Sequence, residues 1–148
     1  MKVVGGAFTL LPAALLYAKA ATCSVWVRVL LPRLGLVSLC ENLGITLGLD
    51  RGEPKPPLRL HEDQELLMTV RATRRVSRIL GRNCLVESLV AGYLLRVRRP
   101  ILRIGWWKDR HATFGHAWLE LDGRPVPGLS GSSNGWQDKI AVLGRFQG

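Results

Sequence analysis

The stretch NCLVESLVAGYLLR, residues 83–96, determines how the rest of this chain is organised. Its apolar side chains recur at helical spacing, which predicts a helix buried on a broad side. Asn83 is a favourable N-cap, because its side chain can accept hydrogen bonds from unpaired backbone N–H groups. Cys84 then takes the first helical position, where those N–H groups and the helix dipole favour the nucleophilic thiolate form.

A second stretch, FGHAWLELDGRPV at residues 114–126, predicts a β-hairpin. Asp122-Gly123 between alternating apolar residues is a strong signal for a two-residue turn. His116 lies on the first strand of this hairpin. A cysteine at a helix start and a histidine on a strand are the two parts of a thiol hydrolase, provided that the fold brings them together.

Composition limits the other interpretations. The 148 residues include 47% hydrophobic residues, which predicts one domain with a buried core, and the net charge of +10 favours an acidic partner. The odd number of cysteines indicates a reducing compartment. Cys23 and Cys40 lie in apolar stretches and are predicted to be packing residues. The scattered histidines predict neither a metal site nor a cofactor, and no nucleic-acid-binding motif is present.

The apolar stretch at residues 3–31 has three interpretations, which the sequence leaves open. The small residues around Lys19 resemble a signal-peptide cleavage site. Membrane association is the second interpretation. The third is an amphipathic helix that begins near Thr9. Its apolar stripe would consist of Leu11, Leu15, Ala18, Thr22 and Val25 or Trp26.

The charged, proline-rich residues 50–57 predict a linker. It divides an apolar helical N-terminal region, residues 1–57, from a core at residues 58–148. A helix is predicted from His61 to Leu80, and Gly81 ends it. Its basic face is either solvated or a docking surface for an acidic partner. That face consists of Arg71, Arg74, Arg75 and Arg78.

Strands are predicted at residues 101–106, 116–121, 124–129 and 140–146. Helices followed by a small antiparallel sheet predict an α+β fold.

Several motifs in this order resemble the lasso-peptide leader peptidases. These are small transglutaminase-like cysteine proteases, similar to the C-terminal domain of the microcin-processing protein. By motif the resemblance covers about residues 80–148, with a weaker likeness in the apolar N-terminal arm. The matching stretches are NCLVESL at 83–89, LLR at 94–96, IG at 104–105, HAWLE at 116–120 and VLGRF at 142–146.

The resemblance implies a papain/transglutaminase-like core in which Cys84 and His116 are catalytic. It implies a hydrolase that removes the leader from a ribosomally made lasso-peptide precursor, a step in antibiotic biosynthesis. A small leader-binding partner protein would present the precursor, and a separate ATP-dependent cyclase would then close the core. We expect a stand-alone protease without the leader-binding domain, in the cytoplasm and peripheral to the inner membrane face, with weak membrane association of the N-terminal arm.

One position departs from the family. The third catalytic group is usually an acid about twelve residues after the histidine, and Gly128 stands there. Asp122 belongs to the turn, about 20 Å from His116 at the rise of a strand. The remaining alternatives are Asn134 or Asp138 folding back, a backbone carbonyl or hydroxyl that orients the ring, or a Cys-His dyad.

Two tryptophans are candidate substrate-binding residues. Trp118 shares a strand face with His116 and either walls the site or packs in the core. Trp106 is a candidate part of the peptide groove.

Two other functions remain open beside the peptidase. In the first, the chain is a non-catalytic scaffold or binding module of a peptide-maturation complex, and Cys84 is a packing residue. In the second, the same fold acts as an acyltransferase, with an amine in place of water.

Overall fold

A computed structural model describes residues 7–48, 55–108, 113–129 and 141–142. The helices are α1 (Ala7–Leu34), α2 (Leu36–Leu43), α3 (Gln64–Leu80) and α4 (Cys84–Leu94), with short 3₁₀ turns at Leu60–Glu62 and Arg96–Arg98. The strands are β1 (Thr46–Gly48), β2 (Ile101–Lys108), β3 (Thr113–Leu121), β4 (Arg124–Pro125) and β5 (Ala141–Val142). This confirms the predicted α+β fold.

The described strands form one sheet in the order β1-β2-β3-β4. β2 pairs with β3 antiparallel along its whole length, so that Gly105 lies opposite His116. β1 pairs with β2 parallel, and β5 pairs with β2 antiparallel. β2 is therefore the central strand, and it supports the strand that carries His116.

Caps define α3 and α4, as their sequences predict. The Asp63 carboxylate accepts from the backbone N–H of Leu66 and begins α3, three residues later than the predicted start at His61. Gly81 follows α3 with a φ of 97°, a conformation that favours glycine. The Asn83 side chain accepts from two N–H groups at the start of α4. Cys84 is accordingly the first helical residue, as predicted.

The packed face of α1 is not the predicted stripe. The side chains buried against α3 and α4 are those of Ala20, Cys23, Ser24 and Val27. Leu15 and Trp26 are instead 53% and 59% exposed. The reason is that α1 is apolar on every side, so hydrophobic periodicity does not select a face, and the small residues allow the closest approach. From Pro12 to Leu34 this helix is long and apolar enough to cross a membrane, and 22% of its apolar window is buried.

The hairpin has the predicted turn but a shorter second strand. Asp122 and Gly123 both have positive φ, 54° and 71°, as a two-residue turn between twisted strands requires. Only Arg124–Pro125 continue as β4, whereas the sequence predicts a strand to residue 129. A second turn at Pro127-Gly128 takes the chain away from β3. Proline has no N–H for the ladder, and Gly128 has a φ of 84°, so the strand ends here.

The core lies between the helices and one face of the sheet. Residues before and after the predicted boundary at 57 share it: Leu39 and Ile45 pack in the same cluster as Leu89 and Leu102. The division into residues 1–57 and 58–148 stays a prediction.

Candidate active site

α4 lies along β3 with its cysteine end toward His116. The Ser88 hydroxyl donates to the backbone carbonyl of Ala117 at 3.3 Å, and this hydrogen bond is buried. One turn further along α4, a Cβ on Gly92 would lie 3.2 Å from Leu119 Cδ1. Four residues of an α-helix rise about 6 Å along its axis, and two residues of a β-strand rise by about the same distance. One turn of α4 therefore matches two residues of β3. Extending this spacing to the turn before Ser88 predicts that Cys84 lies near the level of Gly115.

Cys84 is partly buried at the margin of the core. Asn83 satisfies two N–H groups at this end of α4, and the thiol is attached to the first turn. Burial raises the pKa of Cys23 and of Cys40 to about 11, so both are neutral thiols near pH 7. For Cys40 the nearby Glu41 carboxylate raises the pKa further. Cys84 is thus the one thiol of the chain that lies outside the fully buried core.

His116 lies on the other face of β3 from Ala117. Ala117, Leu119 and Leu121 are all buried on the helix side. Since successive side chains of a strand alternate, His116 and Trp118 are directed to the opposite face.

The open edge of β3 connects the two faces. β4 pairs only with Glu120 and Leu121, so in the described structure β3 has no strand beside residues 113–118 on that side. A route from the imidazole of His116 to the Cys84 thiol around this edge passes Gly115. A Cβ on Gly115 would meet no atom within 4 Å, so there is room at this point. The structure brings the two elements together, and direct contact of thiol and imidazole stays a prediction.

A polar network extends from His116 along its face of the sheet. The rings of His116 and Trp118 are stacked, with centroids 6.0 Å apart and an interplanar angle of 13°. The Trp118 indole N–H donates to Glu120 Oε1 at 3.0 Å, and Arg103 Nε donates to Glu120 Oε2 at 3.0 Å. The Arg103 and Glu120 side chains are only 11% and 14% exposed. The network fixes the Trp118 ring and gives the His116 ring a rigid neighbour.

No role is predicted for Glu120 from the sequence, although a residue four positions after His116 on a strand shares its face. No role is predicted for Glu87 either, which is 1% exposed in the first turn of α4. An acidic residue buried there could be found only from the packing of the helix.

In the described structure, none of the positions considered for the third catalytic group places an acid next to His116. Gly128 packs on α3: a Cβ there would lie 3.1 Å from Val70 Cγ1, so an acid in the family's usual position would be crowded and strained. Asp122 occupies the hairpin turn, where its carbonyl accepts from Lys55. Asn134 and Asp138 lie outside the described residues, so their role stays a prediction.

The two candidate substrate-binding residues, Trp118 and Trp106, lie on neighbouring strands. Trp118 is 7% exposed and its indole N–H is hydrogen-bonded, and its role in substrate binding stays a prediction. The backbone of Trp106 belongs to β2, opposite Gly115, while its side chain lies outside the described part of the structure. Within that part, no group of three His, Cys, Asp or Glu side chains is placed to hold a metal ion.

Comparison with known proteins gives a family. The chain matches no curated protein and no solved structure significantly. A family model described as the transglutaminase-like superfamily matches residues 30–137, which include Cys84, His116 and all of the network on β3. This fold fits a cysteine protease or an acyltransferase. With the match extending over most of its length, the chain belongs to the transglutaminase-like superfamily.

Proposed function

We propose that this protein is a cysteine endopeptidase that removes the leader from a lasso-peptide precursor, so that a separate ATP-dependent cyclase can close the core. The position of α4 supports the proposal. Ser88 on this helix donates a hydrogen bond to the carbonyl of Ala117, the residue after His116, and Cys84 lies one turn before Ser88 in the same helix. Membership of a superfamily with a cysteine protease-type fold supports the same chemistry.

The reaction begins at Cys84. Its thiolate sulfur attacks the scissile carbonyl carbon and forms a C–S bond, while the carbonyl oxygen becomes an oxyanion. The backbone N–H of Cys84, at the start of α4, is suited to stabilise that charge. Collapse of the intermediate breaks the C–N bond, and protonated His116 gives its proton to the departing amine.

Water completes the cycle. His116, now neutral, takes a proton from a water molecule whose oxygen attacks the thioester carbon. The C–S bond breaks, the leader leaves with a new carboxylate, and the thiolate–imidazolium pair is restored. The free amine of the core is the group that a macrolactam synthetase requires.

The precursor and a small leader-binding protein are the proposed partners, and the proposed location is the cytoplasm, peripheral to the inner membrane face. The basic chain suits an acidic leader or partner, because opposite charges accelerate and stabilise association.

The test is mass spectrometry of the precursor incubated with its leader-binding partner and this protein. We expect a separated leader and a free-amine core with the native chain. Cys84→Ala and His116→Ala should abolish or strongly slow cleavage, whereas His61→Ala, at an exposed histidine, should cleave normally. Intact precursor with the native chain, in an assembled mixture of all three components, would refute the peptidase.

The same spectra separate hydrolysis from acyl transfer. The superfamily fold also fits an acyltransferase. Hydrolysis gives a leader with a free C-terminal carboxylate, whereas acyl transfer gives a leader whose mass includes an added amine. The second product would show that the protein is an acyltransferase and not a peptidase.

A further inference from the structure

Four arginines form a stripe along α3, the helix that ends four residues before Cys84. Arg71, Arg74, Arg75 and Arg78 follow the spacing i, i+3, i+4 and i+7, which places them on one side of the helix over about 10 Å. All four line one cavity of about 210 Å³, together with Tyr17 of α1. We call these four residues the arginine track.

The charges of the track are not neutralised by the described part of the protein. The ion pairs found there involve Arg59, Arg98, Arg103 and His61, and none involves a track residue. No acidic side chain lines the cavity. Four guanidinium groups gathered without a counter-charge repel one another, so a ligand with negative charge would relieve that repulsion.

The last residue of the track, Arg78, is close to Cys84 along the chain. Arg28 of α1 donates a hydrogen bond to the carbonyl of Gly81, the residue that ends α3. Cys84 follows three residues after Gly81. The six residues from Arg78 to Cys84 span at most about 20 Å of chain. A ligand lying along the track therefore has one end within reach of the thiol.

We propose that the arginine track binds an acidic segment of the peptide substrate, within about ten residues of the scissile bond at 3.3 Å per extended residue. This inference rests on the proposed peptidase function and adds a substrate class to it. Guanidinium groups bind carboxylates through two parallel hydrogen bonds, and the cavity gives such a side chain a place to enter.

A peptide fits this surface better than a nucleic acid or a membrane. Tyr17 is the one aromatic residue that lines the cavity, so the described site offers no series of rings on which bases could stack. The track residues line a cavity between α1 and α3, and a single carboxylate side chain can enter such a cavity, whereas the headgroups of a bilayer lie in one plane. The carboxylates of an extended chain can enter the cavity one at a time.

The test is binding of fluorescein-labelled octaglutamate to the full chain carrying Cys84→Ala, followed by fluorescence anisotropy. We expect Arg74→Gln/Arg78→Gln to weaken binding about tenfold or more, in line with the loss of two charge-assisted contacts. The matched control is Arg33→Gln/Arg99→Gln, which removes the same charge from exposed positions outside the track and should weaken binding less than about threefold. Labelled octaglutamine should not bind.

A further variant separates the contribution of the bidentate guanidinium geometry from that of the positive charge. Arg74→Lys/Arg78→Lys keeps the charge and removes the bidentate geometry, so it should bind octaglutamate less tightly than the native track. Equal weakening by the track and control pairs would overturn the proposal, as would track-dependent binding of phosphatidylserine vesicles or single-stranded DNA without binding of octaglutamate.

Cleavage assays distinguish this inference from the proposed function. Track-dependent binding of octaglutamate by a protein that cleaves no precursor would leave the acidic site standing without the peptidase. Cleavage that is unchanged in Arg74→Gln/Arg78→Gln, for a precursor with acidic residues near the cut, would leave the peptidase standing and overturn the role of the track.

Discussion

The three cysteines differ in their surroundings, and this difference makes Cys84 the candidate nucleophile. Cys23 and Cys40 are buried in the cluster between α1, α2 and α4, and burial raises the pKa of each to about 11. Cys84 lies at the margin of the same cluster, on a helix start that Asn83 caps. Packing thus makes two thiols inert and leaves the third accessible.

The raised pKa values of Cys23 and Cys40 predict a loss of stability at high pH. Below about pH 9 both thiols are protonated in the folded and in the unfolded chain, so their contribution is fully present. Between about pH 9 and 11 they ionise only when unfolded, which favours unfolding, and the loss is complete above the folded pKa of about 11. We expect on the order of 1 kcal/mol per thiol after allowing for solvent screening.

Urea denaturation at several pH values measures this effect. The control is Cys23→Ala/Cys40→Ala, in which lysines and tyrosines still titrate but the two buried thiols do not. The variant should lose less stability than the native chain between about pH 9 and 11. Identical slopes for the two proteins would contradict the burial of these thiols.

The packing of α4 on β3 is the element-scale feature that positions the site. Gly92 permits the close approach: a Cβ there would lie 2.7 Å from Ile45 Cδ1 and 3.2 Å from Leu119 Cδ1. We expect Gly92→Ala to lower the free energy of unfolding by about 1–2 kcal/mol, because overpacking outweighs the gain in helix propensity. Gly115→Ala is the matched control, since its Cβ would meet open space.

Chemical denaturation of the two variants decides whether this contact exists. An unchanged or increased stability of Gly92→Ala would mean that α4 does not press on Ile45 and Leu119. A large loss of unfolding free energy in Gly115→Ala would mean that the space at the edge of β3 is already filled. The route between His116 and the Cys84 thiol would then be blocked.

Local signals predict the parts of the fold that local chemistry sets. Gly81 predicts the C-terminus of α3, and Asn83 predicts the N-terminus of α4. Asp122-Gly123 predicts the hairpin turn. These predictions succeed because caps and turns depend on a few adjacent residues. The three-residue strand β1 was not predictable, since it forms only by pairing with β2, more than fifty residues away. The buried face of α1 was not predictable either, because every side of that helix is apolar.

The candidate site was predictable in part for the same reason. Cys84 at a helix start and His116 on a strand follow from sequence, while the relation between them depends on the side of the sheet that the helix covers. Alternation placed Trp118 beside His116, and the same alternation would have placed Glu120 there. The packing of Gly128 against Val70 could be learned only from the structure.

At the scale of the whole molecule, α1 is part of the same core as the site. Val27 is 1% exposed, whereas Val25, two residues earlier, is 52% exposed. We expect Val27→Asp to lower the free energy of unfolding by about 3 kcal/mol or more, because it buries an unpaired carboxylate. Val25→Asp should change it by less than about 1 kcal/mol. Thermal denaturation compares the two, and equal effects would mean that α1 is not docked on α3 and α4.

The Cys84 thiol on α4 and the His116 imidazole on β3 are proposed to act as one catalytic pair. The rate of iodoacetamide alkylation of Cys84 at about pH 7, followed by peptide mapping in the native chain and in His116→Ala, tests this pairing. We expect Cys84 to be modified well before Cys23 and Cys40. His116→Ala should slow the modification of Cys84 about tenfold or more, whereas the exposed-site control His61→Ala should not slow it. Equal rates in the native chain and His116→Ala would contradict the pairing of Cys84 with His116.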